Sequence, residues 1–239
     1  MLSRSSEFKR ERTFVHHPPD LGYTDLIAET TGSGSRTYLT PTGEKLPSIT
    51  TVLSVLSEKH IYEWRQRVGD EIANRVSRAA TTRGTALHTL VERYVKNEEV
   101  VLTGSEMPNV TQMFRAIVPT INSRIGTVFL QEAPLYSLHL GVAGRTDLIA
   151  EFDGKPSIID IKSSSRVKSR DDVHSYFMQE AAYAIMYEER TGIPITRLVT
   201  LMAVEGSSEP IVFVEKRDDW TNQLHRTINE YKTRRLFGH

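Results

Sequence analysis

The stretch from Gly141 to Ser163, GVAGRTDLIAEFDGKPSIIDIKS, is the segment that most restricts how this chain can fold. Two strand-length segments flank Asp153-Gly154, a dipeptide that favours a two-residue hairpin turn because both residues tolerate positive φ. The turn predicts a β-hairpin that brings Asp147 and Asp160 together with Lys162 at one sheet edge. Strand side chains alternate with period two, so Asp160 and Lys162 share a face and the turn folds Asp147 back toward it. Two carboxylates and a lysine so placed can hold a divalent cation. Mg²⁺ takes six oxygens at about 2.0–2.1 Å and usually keeps several waters, so two carboxylates plus a backbone carbonyl, that of Ile161, suffice. Such a cation would neutralise phosphate charge and lower the pKa of a bound water. Lys162 would orient that water or stabilise charge building in the transition state. The bland alternative is a set of solubilising surface charges. However, IIDIK is a buried-type strand, where a charged pair is costly without partners or a metal.

The chain has 239 residues, 38% hydrophobic and 25% charged, enough for one large domain or two small ones with a sizeable core. No apolar run approaches the ~18 residues of a membrane span. Met1 to Phe14 carries Arg4, Lys9, Arg10 and Arg12 with Glu7 and Glu11, and has no apolar h-region. That pattern excludes a secretory signal, fits a mitochondrial presequence poorly, and reads as a disordered or loosely attached arm. With no cysteine, disulfides, thiolate zinc sites and iron–sulfur clusters are excluded, and a cytoplasmic setting fits. A formal net charge of zero argues against a wholly basic binder, yet two runs are locally basic. Arg65, Arg67, Arg75, Arg78 and Arg83 face only Asp70 and Glu71. Lys162, Arg166, Lys168 and Arg170 have no acidic neighbour over residues 161–170. Each run taken alone reads as a solvated face.

Residues 15–47, rich in Pro, Gly, Ser and Thr, predict an extended lead-in with a short hairpin around Tyr38 to Lys45. A helical pattern starts at Ser48, and others span about His60 to Ala80, Thr85 to Lys96 and Met107 to Ser123. Three strands follow, Ile125 to Leu138, Gly141 to Phe152 and Pro156 to Ile161. Then come a helix from Asp172 to Thr191, strands Thr196 to Val204 and Pro210 to Glu215, and a basic helix from Trp220 to Leu236. The order predicts an α/β fold with an αβββαβ-type core and a helical N-terminal half. Residues 1–47 form the arm and lead-in. Residues 48–239 form a single domain, helical over 48–123 and built on the sheet over 124–239.

Asp147 followed by Asp160-x-Lys162 resembles the PD-(D/E)XK nuclease superfamily, specifically its RecB-type exonuclease branch. Further matches fall in the expected order: RGTALH at 83–88, Glu132, and QEAAY from Gln179 to Tyr183. PSITTVL at 47–53 is similar to exonucleases of phages and of mitochondrial genome maintenance, and the resemblance covers roughly residues 36–190. It implies a restriction-endonuclease-like core with a mixed central sheet, and Mg²⁺ or Mn²⁺ as cofactor. It also implies His88 as a metal ligand beside Asp147, Asp160 and the Ile161 carbonyl. Glu132 becomes a catalytic carboxylate that completes the metal shell or holds a second ion. Gln179 and Tyr183 would lie on a helix over the site, against the nucleic-acid backbone or the lysine. Glu92, one turn after His88, would orient it.

Other residues offer phosphate contacts. Arg83 is a candidate clamp, and Gly84 lets backbone approach a phosphate, breaks the helix, or packs closely. Ser163, Ser164 and Ser165 offer hydroxyls, with Arg166 and Lys168 nearby. Ser48, Thr50 and Thr51 bind phosphate at a helix N-terminus or merely cap it. His16, His17, His60 and His174 lack partners at ligand spacing and read as structural or exposed. The implied activity is a DNA exonuclease acting on single-stranded ends, in phage-type replication, recombination or degradation. It would work in the cytoplasm, the host's if phage-encoded. No Walker A sequence is present, so any unwinding requires a helicase or recombination partner. A structure-selective endonuclease and a non-catalytic DNA-binding module are the alternatives.

Overall fold

The computed structural model describes residues 6–32, 34–102 and 108–237. The first elements are short: β1 (Ser6–Glu7), β2 (Ile27–Thr30), β3 (Arg36–Leu39), β4 (Lys45–Pro47) and α1 (Ile49–Leu53). Helices α2 (Glu58–Val68) and α3 (Asp70–Val95), strand β5 (Val101–Leu102) and helix α4 (Pro108–Arg124) follow. The rest is β6 (Ile125–Ser137), β7 (Val142–Phe152), β8 (Lys155–Ser164), α5 (His174–Thr191), β9 (Arg197–Val204), β10 (Ile211–Lys216) and α6 (Arg217–Phe237). From α4 to β9 the order is αβββαβ, as the sequence predicts.

The Asp153-Gly154 turn forms with φ of +52° and +71°, the two positive values a tight hairpin of this kind requires. Arg124 grips both Asp153 carboxylate oxygens, at 2.9 and 2.7 Å, and fixes the turn against the end of α4. The central sheet has the order β10-β9-β8-β7-β6. Strands β6, β7 and β8 form an antiparallel meander, whereas β8 and β9 run parallel and are joined through α5. The sheet is therefore mixed. A parallel neighbour needs a crossover of this kind, so α5 lies across one sheet face.

Alternate strand residues supply two cores. Leu148, Ile159, Ile161 and Leu201 pack against α3 and α4 through Leu87, Tyr94, Phe114 and Ile117. Ile149, Ile158 and Leu198 pack against α5 and α6 through Phe177, Ala181, Trp220 and Leu224. Burying each such large side chain stabilises the fold by about 1.5–3 kcal/mol. With both faces covered, β8 needs its near-continuous apolar run.

Three expectations change. First, the predicted loose arm is packed where the structure describes it. Phe14 is buried on Tyr94, Phe8 packs edge-on to Tyr94 and Phe114, and Arg10 donates to the Tyr94 carbonyl. The first five residues of the arm lie outside the described residues, as does Met107 at the expected start of α4. Second, the lead-in contains the predicted hairpin as β3–β4, but β2 adds a third strand. Tyr38 and Leu26 seat this small sheet on Tyr136 and Ala143 of the central one. Third, the break between α2 and α3 falls at Gly69, not Gly84. Gly69 has φ +81°, ends α2 by donating to the Arg65 carbonyl, and begins α3, which then runs unbroken through Gly84. Among the described residues, no helix is long and apolar enough to cross a membrane.

Candidate metal centre and active site

Register places three acids in one row across the sheet. Gln131 lies opposite Leu148 and Ala133 opposite Thr146, so Glu132 falls across from Asp147. On the next strand Leu148 pairs with Ile159, which sets Asp147 across from Asp160. The β7–β8 ladder stops at that rung. Asp147 Oδ2 then accepts a hydrogen bond from the Ile161 backbone N–H at 2.8 Å, so a carboxylate takes the place of a strand carbonyl. Glu132 is at φ +47°, a left-handed conformation that costs a non-glycine residue about 1–2 kcal/mol. Arg145 braces that kink by donating to the Glu132 carbonyl.

Helix α3 brings a second kind of donor, an imidazole. The ligand atoms of His88, Glu132 and Asp147 all lie within 4.8 Å of one another, with His88 Nδ1 3.6 Å from Asp147 Oδ2. Beside them is a hole of about 10 Å³, bordered also by Gln131 and Ile161. That is close to the space of a single water-sized particle. One imidazole and two carboxylates around such a space suit a divalent ion. The charge balance agrees. Burial, with the nearby Asp147 charge, pushes the Glu132 carboxyl up to about 7. A bound cation would reverse that cost.

Asp160 stands behind this group and is 1% exposed. Lys162 Nζ is 2.6 Å from Asp160 Oδ2, so the period-two reading places them correctly. Burial raises the Asp160 pKa, and the Lys162 charge opposes that rise. Burial also disfavours the ammonium, but Asp160 and Asp147 together hold the Lys162 pKa above its ordinary value. The pair is held from α5. Gln179 Nε2 donates to Asp160 Oδ1 at 3.3 Å, and Lys162 donates to Gln179 Oε1 at 3.3 Å. Gln179 Nε2 also donates to Tyr183 Oη at 3.4 Å. The Tyr176 ring lies 5.0 Å from Lys162 Nζ, a cation–π distance.

The structure thus brings together His88, Glu132, Asp147 and Ile161, with Asp160 and Lys162 adjoining. Asp160 is outside the three-ligand group and acts as the partner of Lys162. Gln179 and Tyr183 are buried, and of the two expected contacts Gln179 makes the one to the lysine. Glu92 pairs with Lys96 at 2.5 Å instead of His88. Ser164 is buried and bonds the backbone of Arg166, forming a turn. Lys168 donates to Tyr176 Oη at 2.7 Å, and Arg170 is paired with Glu215. Ser163 faces Gly84, where a Cβ would lie 3.6 Å from its hydroxyl. Arg83 is half-buried beside it, and Arg166 is exposed. Ser48 is buried and caps α1 by accepting from the Thr51 N–H. Thr50 is exposed, and its hydroxyl lies 2.9 Å from that of Ser48.

One buried acid escaped the sequence reading. Glu180 is fully buried, accepts from the Thr200 hydroxyl, and has Oε2 without a partner among the described residues. Burial and the nearby Asp160 raise its pKa well above the ordinary carboxylate value. The available signal was an acid set among the apolar residues Phe177, Met178, Ala181 and Ala182.

The sequence profile of the PD-(D/E)XK nuclease superfamily matches residues 57–237. No curated protein matches the chain.

Proposed function

The chain belongs to the PD-(D/E)XK nuclease superfamily, and from that premise we propose a RecB-type exonuclease that hydrolyses DNA from single-stranded ends with Mg²⁺ or Mn²⁺. The observation that carries this reading is the His88–Glu132–Asp147 donor group set against the Asp160–Lys162 pair. Those three residues would hold the ion, which supplies charge neutralisation at the phosphate and an acidified water. Lys162 keeps its ammonium because two carboxylates surround it, and so stabilises negative charge on phosphate oxygens or orients the water. Gln179 fixes Lys162 and Asp160 relative to one another, which removes a reorganisation cost from the reaction. The exposed Arg67 on α2, with Arg75 and Arg78 on α3, the helix that carries His88, adds positive charge on that side and favours a phosphate strand there. The setting we propose is cytoplasmic phage-type DNA replication, recombination or degradation, with a separate helicase or recombination partner.

End-labelled linear oligonucleotides and sealed single-stranded circles, incubated with Mg²⁺ or Mn²⁺, test the proposal. Linear strands should shorten stepwise while circles survive, and Asp147→Asn should abolish both metal binding and digestion. Cleaved circles would move the assignment to an endonuclease. An Asp147→Asn variant of parental activity would remove the site altogether.

A further inference from the structure

Beyond the metal centre lies a second, open cavity of about 480 Å³ that shares His88, Glu92 and Glu132 with it. Ligand sites fall in this size range. Its α3 wall is Gly84, Thr85, His88, Thr89 and Glu92, with only small side chains at 84, 85 and 89. The opposite wall is Arg36, the one arginine or lysine among the lining residues. This residue comes from β3, in the lead-in that the sequence reading left without a role.

The Arg36 backbone is held at both ends. Its N–H donates to Thr51 Oγ1 at 3.0 Å, and its carbonyl accepts from the Ser48 N–H at 2.8 Å. The strand is paired on both sides, with Arg36 opposite Thr30 and Thr37 opposite Pro47. Ser48 also bridges to Ala143 of β7, which ties the small sheet to the catalytic one. The side chain is treated differently. Arg36 is exposed, its Nε makes one long contact of 3.3 Å to Thr30 Oγ1, and no carboxylate pairs with it among the described residues. Arg65, Arg124, Arg145, Arg170 and Arg234 are ion-paired, whereas Arg36, like the exposed Arg67, Arg75 and Arg78, is not among the described residues' ion pairs, and of these four only Arg36 lines the cavity. A pinned backbone carrying an uncommitted guanidinium, beside His88 and Glu132 of the metal centre, is a poor arrangement for stability. It is a good one for a ligand that bears negative charge of its own.

We propose that Arg36 binds a non-bridging phosphate oxygen of the nucleic-acid strand next to the phosphate at the metal centre. The small β2–β3–β4 sheet is then a wall of the substrate groove. The guanidinium fork matches two phosphate oxygens at once, which gives position as well as attraction. Ser48 and Thr51, read in the sequence as possible phosphate binders, serve the same end indirectly by fixing the strand from which Arg36 projects. The inference rests on the nuclease reading for the identity of the substrate.

The test compares the full chain with Arg36→Ala and Arg36→Lys, and with Lys45→Ala as a control. Lys45 is on the same sheet but is paired with Glu29 and lies off the cavity. Binding of fluorescein-labelled oligo(dT) is measured in EDTA over a salt series, followed by steady-state digestion with Mn²⁺. Arg36→Ala should weaken binding by roughly tenfold to a hundredfold, as expected for losing a charged hydrogen bond. The slope of log affinity against log salt should fall by about 0.7, the value for one contact to a single strand. The loss should appear mainly in KM. Arg36→Lys should recover part of it, Lys45→Ala should match the parent, and thermal melts of all variants should coincide. Equal affinity and equal salt slope for Arg36→Ala and the parent would overturn the inference while leaving the nuclease reading intact, provided Asp147→Asn still abolishes digestion. A parent that binds DNA but never digests it would sink the nuclease reading alone, because the binding comparison still decides Arg36. A parent that binds no oligonucleotide overturns both.

Discussion

At the scale of single residues, the acids differ in what they do with their protons. The Glu132 carboxyl, at about 7, lies above its ordinary value of 4.5, so the folded chain holds this proton more tightly than the unfolded chain does. The stability this provides is complete below about pH 4.5 and is lost as pH rises through about 7. Metal-free protein should therefore lose stability from pH 5 to pH 8. Glu132→Gln should flatten that profile in thermal melts at fixed ionic strength. Metal binding must displace the same proton, so affinity should drop by roughly tenfold per pH unit below 7, with proton release visible by calorimetry in buffers of different ionisation enthalpy. Parallel pH profiles for the parent and Glu132→Gln would refute the assignment. Asp160 behaves differently because its partner is a lysine. Asp160→Ala leaves Lys162 buried without its counter-charge and should cost about 3–5 kcal/mol in denaturant unfolding, besides abolishing digestion. An unchanged unfolding midpoint would show that the pair contributes nothing to the fold.

At the scale of elements, α5 and β7 fit each other through Gly144. A Cβ there would lie 2.8 Å from the Tyr183 ring and 2.9 Å from its hydroxyl, with Ile49 at 3.2 Å. Gly144→Ala should force Tyr183 away from Gln179 and loosen the Asp160–Lys162 pair. The expected cost is about 1–3 kcal/mol of overpacking, together with a fall in kcat larger than any change in KM. A variant as stable and active as the parent would show that Tyr183 has room to move. The contact explains what could and could not be read from the chain. The hairpin was legible because Asp153-Gly154 and the alternation around it act locally, and the Asp160–Lys162 pairing followed from strand period alone. The helix break was misplaced because Gly69 and Gly84 look alike in sequence. Only the surrounding backbone sets φ +81° at one and leaves the other helical. Likewise, Gln179 and Tyr183 were found by resemblance, but their burial depends on a helix crossing between β8 and β9, a non-local fact. Glu180 and Arg36 were missed for the same reason. Their neighbours are Thr200 and Glu132, distant along the chain.

At the scale of the whole molecule, the N-terminal stretch belongs to the core. Phe14 is 2% exposed and meets Tyr94 edge-on at 5.8 Å. Phe14→Ala should remove about 3–5 kcal/mol of stability, shifting the denaturation midpoint while leaving activity well below that midpoint nearly unchanged. A midpoint that does not move would mean the segment is dispensable. The same stretch does something further at the sheet margin. β6 is thirteen residues long and has β7 on only one side. Val15 and His17 exchange backbone hydrogen bonds with Val128 along its outer side, at 2.8 Å each. A long outer strand with free N–H and C=O groups is a template on which another chain can assemble, and this clasp withholds part of it. A molecule shortened past His17 would therefore fail by clumping, with the rate of precipitation rising with protein concentration even where the catalytic half remained folded.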